Sequence, residues 1–380
     1  MKICNVVCHV TPMAGSWLTE TVVANPMSIY PEYWERRSSW YRAMSAAVIE
    51  VTLEDGTTGC GFVGGGKGHA VASLLEEQMR DLIVGKSVFD TELTQEQLYR
   101  ASVFYGRGGL AQSAISGIDI ALWDAKGKLL GQPVYNLLGG KTREQMMAYY
   151  TGNDPAALRE FGIRDMKIAM PYGPAHGEAG MRKNEEIVAK ARETLGSDGF
   201  IALDIYMSWT VPYALAMYER LRDYRIAWLE EPVPPDNYEG YRQLRRSIPI
   251  MVTGGEHEYT LEGFRRLIED GCVDIVQPDI YRAGGPTGLM KIAALAKAHH
   301  VQLICHGIGS PTYHFLISNG PELTPFCEYL DIYRGATQDW VLTDDPRPLE
   351  GTLRLADSPG FGYRLNEKVF RDQIAVTPIW

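Results

Sequence analysis

From residue 145 to about residue 330 the chain repeats one unit, a short apolar run followed by a longer segment with helical spacing. The apolar runs fall at 146–150, 165–170, 200–205, 226–229, 250–253, 273–277, 301–305 and 326–330. Four to six residues suit a strand and are too few for a buried helix, and most of the intervening segments have helix length. Eight such units in one run predict a (β/α)8 barrel over residues 141–340 rather than an open doubly wound sheet. Residues 1–140 follow another rhythm. The run 44–53 enters the turn Asp55-Gly56 and predicts a hairpin, and helical patterns follow at 69–83, 94–99 and 110–128. Pro133 and Gly139-Gly140 then punctuate the chain. This is the pattern of an α+β unit. Residues 341–380 break the barrel rhythm with Asp344-Asp345-Pro346 and Pro359-Gly360-Phe361-Gly362, and are expected to return to the first unit.

Composition narrows the function classes. With 45% hydrophobic and 22% charged residues, the 380-residue chain can bury a large core, which excludes a disordered polymer. A net charge of −10 without a basic run argues against nucleic acid or an anionic membrane surface as a partner. No apolar run approaches the roughly 18 residues that a membrane-crossing helix needs. The start of the chain reads as a strand, not as a cleavable leader. The six cysteines form no Cys-x-x-Cys pair, so reduced thiols and a cytoplasmic location are expected.

One motif is a decoy. Gly59-Cys60-Gly61-Phe62-Val63-Gly64 fits the dinucleotide-binding pattern letter for letter. That fingerprint needs a helix opening on it within a βαβ unit, with an acidic residue about 20 positions on. Here the stretch follows a hairpin turn and runs on as Gly64-Gly65-Gly66-Lys67-Gly68. A loop over a site is the better reading.

In such a barrel the chemistry gathers at the carboxyl ends of the strands. Strand three closes with Leu203-Asp204, strand four with Glu230-Glu231-Pro232 and strand five with Gly255-Glu256-His257. Asp204, Glu230 and Glu256 are spaced 26 and 26 residues apart, one βα unit per step. Glu230 is preferred over its neighbour Glu231 because it continues that spacing. Three carboxylates facing one mouth repel strongly in a low dielectric, and a hard divalent cation relieves this. All-oxygen ligation points to Mg²⁺. Strand six ends at Asp279 and strand seven at His306, a carboxylate beside an imidazole, suited to proton transfer. Strand eight contributes Glu328.

Several stretches carry a resemblance. Ala121-Leu122-Trp123-Asp124-Ala125-Lys126-Gly127 through Leu138-Gly139-Gly140 resembles the domain junction of the mandelate racemase branch of the enolase superfamily, and the acid series with its His–Asp pair is similar to that branch's metal and dyad pattern. Asn25-Pro26-Met27-Ser28, Tyr172-Gly173-Pro174-Ala175-His176-Gly177, Met207-Ser208 and Gly254-Gly255-Glu256-His257 resemble L-rhamnonate dehydratases. The resemblance implies an α+β cap, built from residues 1–140 and 341–380, over a Mg²⁺-bearing barrel that acts on an acid sugar; a homo-oligomer is also expected. It implies α-proton abstraction by His306, an ene-diolate stabilised by Mg²⁺, and return of the proton to a departing β-hydroxyl. Glu328, if protonated, would donate to an ene-diolate oxygen. Arg37, with Arg36 as the competing candidate, Lys167 and His257 would contact substrate.

Two departures matter. Racemizing relatives carry Lys-x-Lys at the end of strand two, where this chain has Lys167-Ile168-Ala169, so the opposite-face base is missing. Elimination is favoured over racemization or epimerization, and intact ligand and dyad positions argue against a catalytically degenerate binding protein. Ser16 stands where a His is expected before Trp17, which leaves the choice between L-rhamnonate and L-lyxonate open.

Overall fold

Alternation near the start of the chain builds a three-stranded antiparallel sheet from β1 (Ile3–Pro12), β2 (Ser45–Leu53) and β3 (Thr58–Val63). The Asp55-Gly56 turn joins β2 to β3, with Thr57 N donating to Asp55 Oδ1 at 3.0 Å. The computed structural model describes residues 1–12, 24–33, 45–152, 156–330 and 342–366.

Three helices cover the sheet: α1 (Gly68–Leu74), α2 (Thr91–Gly106) and α3 (Leu110–Leu129). The helix expected over 69–83 is interrupted. After Leu74 the chain makes a π turn over Leu75–Met79 that turns both of those residues into the core, then a 3₁₀ turn over Arg80–Leu82. Helix α2 extends well beyond the expected 94–99. Its buried face includes Thr91, Thr94, Gln95 and Ser102 beside the single Leu98, so hydrophobic periodicity understated it. Helix α3 is buried from Ala111 to Gly127 because it lies between the sheet and the barrel. The glycines of the decoy motif belong to this contact. A Cβ at Gly61 would stand 1.9 Å from Gly117 O, and one at Gly59 2.3 Å from Ala121 O. They admit a helix against a strand rather than a pyrophosphate.

A short helix α4 (Val134–Leu137) leads to the barrel strands β4 (Met146–Thr151), β5 (Met166–Ala169), β6 (Ile201–Asp204), β7 (Ile226–Glu230), β8 (Met251–Gly254), β9 (Ile275–Val276), β10 (Gln302–Leu303) and β11 (Phe326–Tyr329). All eight pair in parallel in the order β11-β4-β5-β6-β7-β8-β9-β10. The last strand thus lies beside the first, and Leu303 N donating to Leu323 O crosses from β10 toward β11. Helices α5 (Ala156–Phe161), α6 (Gly177–Leu195), α7 (Val211–Leu221), α8 (Tyr238–Ser247), α9 (Leu261–Glu269), α10 (Gly285–Ala298) and α11 (Ser310–Ser318) alternate with the strands. Tyr149, Ala202, Trp228, Ile275 and Ile304 pack against one another inside the barrel. This is the barrel fold with its antiparallel-sheet companion that the hydrophobic rhythm predicts.

The C-terminal segment touches both units. Thr352–Leu353 adds an antiparallel strand to β4. Farther on, Val134 N donates to Gly360 O at 2.9 Å and Phe361 N to Asp124 Oδ1 at 3.0 Å.

Candidate active site

Strand alternation aims the candidate residues. Ala202, Trp228, Ile304 and Phe326 face the barrel interior or pack against it, and two residues on from each stand Asp204, Glu230, His306 and Glu328. A period of two turns all four to the same side, at the carboxyl ends of their strands. Registers align them further: Asp204 pairs with Glu230 across β6 and β7, and Asp279 with His306 across an isolated parallel bridge.

Glu230 is fully buried. Its Oε1 accepts from Lys167 Nζ, and its Oε2 from Gln277 Nε2 at 2.6 Å and Trp228 Nε1 at 3.2 Å. A carboxylate has about four lone-pair sites, so three donors orient it and leave room for one ligand. Lys167, 1% exposed, also pairs with Glu328 at 2.9 Å and stands 3.9 Å from Asp204 Oδ2. Burial opposes the charge on Lys167, but Glu230, Glu328 and Asp204 outweigh it and hold the ammonium well above its ordinary pKa. Glu328 accepts from Thr151 Oγ1 and, at 2.6 Å, from Gly307 N. Burial raises its pKa and the Lys167 and His306 charges lower it, with a net shift below the carboxylate range. The surroundings therefore favour the Glu328 anion, and a donor role would require it to take up a proton.

Across the mouth, Glu256 meets Arg282 Nη1 at 3.0 Å and His306 Nε2 at 3.3 Å. His306 Nδ1 lies 3.2 Å from Asp279 Oδ2. Burial alone would lower the His306 pKa, but the Glu256, Asp279 and Glu328 carboxylates push it up to about 9. Beside this dyad stands a second pair. His257 Nδ1 lies 2.6 Å from Glu231 Oε2, its backbone N–H donates to Glu231 Oε1 at 3.2 Å, and its ring meets Tyr206 edge-on. Glu231 sits at φ 42°, where the chain leaves β7.

Among the described residues, the group of three acid or imidazole side chains that can each offer a ligand atom within 4.8 Å of the others is Glu231, Glu256 and His257. Asp204, Glu230 and Glu256 do not close to that distance. The Lys167 ammonium stands between Asp204 and Glu230, filling with one positive charge a space bounded by acids. The donor chemistry nevertheless fits a hard cation. Six carboxylates (Asp204, Glu230, Glu231, Glu256, Asp279 and Glu328) face the buried Lys167, the half-buried Arg282 and two imidazoles, and the Lys67 charge also reaches Glu256 and Asp279. Burial, with the Asp204 and Glu328 charges, raises the Glu230 pKa to about 7 despite Lys167.

Arg37, Arg36, Ser16 and Trp17 lie outside the described residues. Lys167 is brought to the centre of the acids rather than to the open mouth, and His257 to its rim. Two participants escaped the sequence reading. Arg282 lies three residues past a strand-end Asp, and Gln277 two before it, a spacing that faces both toward the same mouth. The Glu231–His257 pair was visible only as two adjacent-strand residues 26 positions apart.

Comparisons with known proteins identify the family. Residues 22–139 match the mandelate racemase / muconate lactonizing enzyme N-terminal domain, and residues 154–369 match the enolase C-terminal domain-like family. An L-rhamnonate dehydratase of Saccharopolyspora erythraea is 40% identical over 361 residues, 93% of this chain and 91% of that protein. The rhamnonate dehydratase of Gibberella zeae, solved in complex with Mg, superposes with a TM-score of 0.91 at 36% identity, over 98% of this chain and 96% of that one. The 3,6-anhydro-D-galactonate cycloisomerase of Zobellia galactanivorans superposes with a TM-score of 0.82 at 29% identity, over 98% and 99%. The two domain matches and the 40% identity over nearly the whole chain place this protein in the enolase superfamily, among the mandelate racemase / muconate lactonizing enzymes.

Proposed function

We propose that this chain is a Mg²⁺-dependent acid-sugar dehydratase that converts L-rhamnonate, or its near analogue L-lyxonate, to the 2-keto-3-deoxy acid. The observation that carries the reading is His306, 3.2 Å from Asp279 and 3.3 Å from Glu256, beside an excess of strand-end carboxylates. The likeness to rhamnonate dehydratases over nearly the whole chain supports the substrate class.

The chemistry follows from the charges. A hydrogen α to a carboxylate is very weakly acidic because its loss piles a second negative charge onto the same oxygens. Mg²⁺ held by Asp204, Glu230 and Glu256 would offset that charge. The surroundings favour the His306 imidazolium, so it must first give up that proton; the neutral ring then takes the C2 proton, with Asp279 fixing the tautomer that leaves Nε2 as the base. The imidazolium so formed returns its proton to the C3 hydroxyl. Water departs, a C2–C3 double bond forms, and the enol becomes the 2-keto acid. Lys167, pinned between Glu230 and Glu328, keeps the acid cluster from separating under its own repulsion. At the end of β5, Ala169 offers a methyl group where an opposite-face base would stand, which favours elimination over racemization. In the same reading, residues 1–140 and 341–380 form the cap and residues 141–340 the catalytic barrel.

The test is an acid-sugar panel with Mg²⁺, scored for 2-keto acid as the semicarbazone. Keto-acid release from L-rhamnonate or L-lyxonate supports the proposal. Stereochemical change alone, or no turnover of any panel member, overturns it.

A further inference from the structure

We infer that Arg282 is a positioning residue that fixes the His306–Asp279 dyad against Glu256. This rests on the dehydratase reading above and adds a residue to its machinery.

The local chain directs the side chain back into the site. Asp279 O accepts from Arg282 N at 2.9 Å and from Ala283 N at 2.8 Å, so the chain turns tightly straight after the strand end. Asp279 Oδ1 accepts from Tyr281 N at 2.7 Å, which leaves Oδ2 for the imidazole and the guanidinium. Arg282 Nε meets Asp279 Oδ2 at 3.1 Å, while Nη1 meets Glu256 Oε1 and Glu256 O, each at 3.0 Å. One rigid fork thus spans two carboxylates on neighbouring strands, which a point-like ammonium cannot do.

The far side of the turn is clamped by the other unit. Gly284 N donates to Ser116 Oγ at 2.8 Å, Gln95 Nε2 to Gly284 O at 2.6 Å, and Thr287 N to Asp119 Oδ2 at 2.9 Å. The base of the Arg282 side chain is therefore held from α2 and α3 while its head holds the acids.

Without the fork, two facts change together. Asp279 Oδ2 would lose the guanidinium nitrogen that holds it at 3.1 Å, and Glu256 Oε1 the one that holds it at 3.0 Å. The imidazole, which lies between Asp279 at 3.2 Å and Glu256 at 3.3 Å, would then rest on two carboxylates that the fork no longer holds in place. Charge balance alone is a rival role for a buried Arg, and it predicts a different result. Removing a cation beside an acid-rich site strengthens that site's attraction for a divalent ion, whereas misplacing the dyad slows the proton transfer.

The experiment uses the full chain with Arg282→Ala. Mn²⁺ binding followed by paramagnetic resonance, and kcat and KM on the acid sugar, are measured beside wild type. We expect kcat to fall by about 10²-fold, the cost of a reacting group misplaced by about an ångström. KM should be little changed and Mn²⁺ affinity kept, whereas tightened Mn²⁺ binding with wild-type kcat is the charge-balance result. Guanidinium chloride at non-denaturing concentration should raise kcat, and sodium chloride at equal ionic strength should not. Wild-type kcat, or joint loss of kcat and Mn²⁺ binding, overturns the inference, as does failure of guanidinium rescue. If Arg282→Ala does not fold, Arg282→Lys decides: it keeps the charge but not the span, and wild-type kcat in that variant also overturns the inference. If wild type binds Mn²⁺ but turns over no acid sugar, the dehydratase reading has failed separately. A crystal structure of the variant then judges Arg282, and unchanged Glu256, Asp279 and His306 positions reject its role.

Discussion

Two buried acid clusters in this protein are built on opposite plans. At the junction of the two units, Asp124 is fully buried and receives Cys60 N at 2.9 Å, Phe361 N at 3.0 Å and Lys128 Nζ at 2.7 Å. One carboxylate thereby ties β3, α3 and the C-terminal segment together, with its charge answered by a cation one helical turn away. At the barrel mouth, six carboxylates crowd around Lys167 and Arg282, and charge remains unanswered. Below them Tyr149 OH, Thr253 Oγ1 and Gln277 Oε1 are buried without hydrogen-bond partners. A fold has no stability reason to assemble that mouth, since unpaired buried charge and orphaned polar atoms cost free energy.

The contrast can be broken most sharply at the mouth. Asp204→Asn or Glu256→Gln should abolish metal-dependent turnover, because each removes an anionic ligand, while circular dichroism and melting temperature stay near wild type. EDTA should inactivate the wild-type protein reversibly. Full activity in a rigorously chelated sample would remove the metal assignment. His306→Asn should come next, losing C2 proton exchange and dehydration together, by up to about 10⁴-fold. Proton NMR of substrate in D₂O reads both reactions in one sample. Exchange that survives the substitution would show another base at work and end the single-histidine mechanism.

The junction should respond in the opposite sense. Asp124→Ala leaves two buried N–H groups and Lys128 without their acceptor, so unfolding free energy should drop by on the order of 3 kcal/mol. Denaturant unfolding measures the loss, and kcat below the melting range should stay unchanged. A fall in kcat without a fall in stability would erase the distinction between the two clusters.

A comparable effect on stability is expected from pH in the metal-free protein. His306 titrates at about 9 in the fold against an ordinary 6.5, because the surrounding carboxylates outweigh burial. A raised folded value means the stabilisation is complete below about 6.5 and is lost as pH rises through about 9. Melting temperature should therefore decline across that window, and the decline should vanish in His306→Asn. A window that persists in the variant would assign the titration to another group.

Much of this could be read from the chain. The eight apolar runs became eight parallel strands, because a run of four to six apolar residues flanked by helical segments has few other ways to bury itself. The strand-end residues Asp204, Glu230, Glu256, Asp279, His306 and Glu328 reached one mouth because position along a barrel strand dictates the end on which a residue emerges. Helix α2 was underread, since its buried face includes Thr94, Gln95 and Ser102 and carries little hydrophobic signal. The dinucleotide-like glycines were set aside on their context, but their purpose came only from packing, where Gly59 and Gly61 lie against the backbone of α3.

What the chain alone left open is which partner each charge chooses. Spacing places Lys167 near a strand end and passes over Arg282, and it is silent on Lys167 joining Glu230 to Glu328 and on Arg282 joining Glu256 to Asp279. Those pairings cross between strands, and they depend on distances of 3–4 Å that no local pattern encodes. Local periodicity sets where a side chain emerges, because backbone geometry is the same in every strand. Its partner is settled only when the barrel closes, because a long, flexible charged side chain has several acids within reach and takes the geometry that satisfies the most of them.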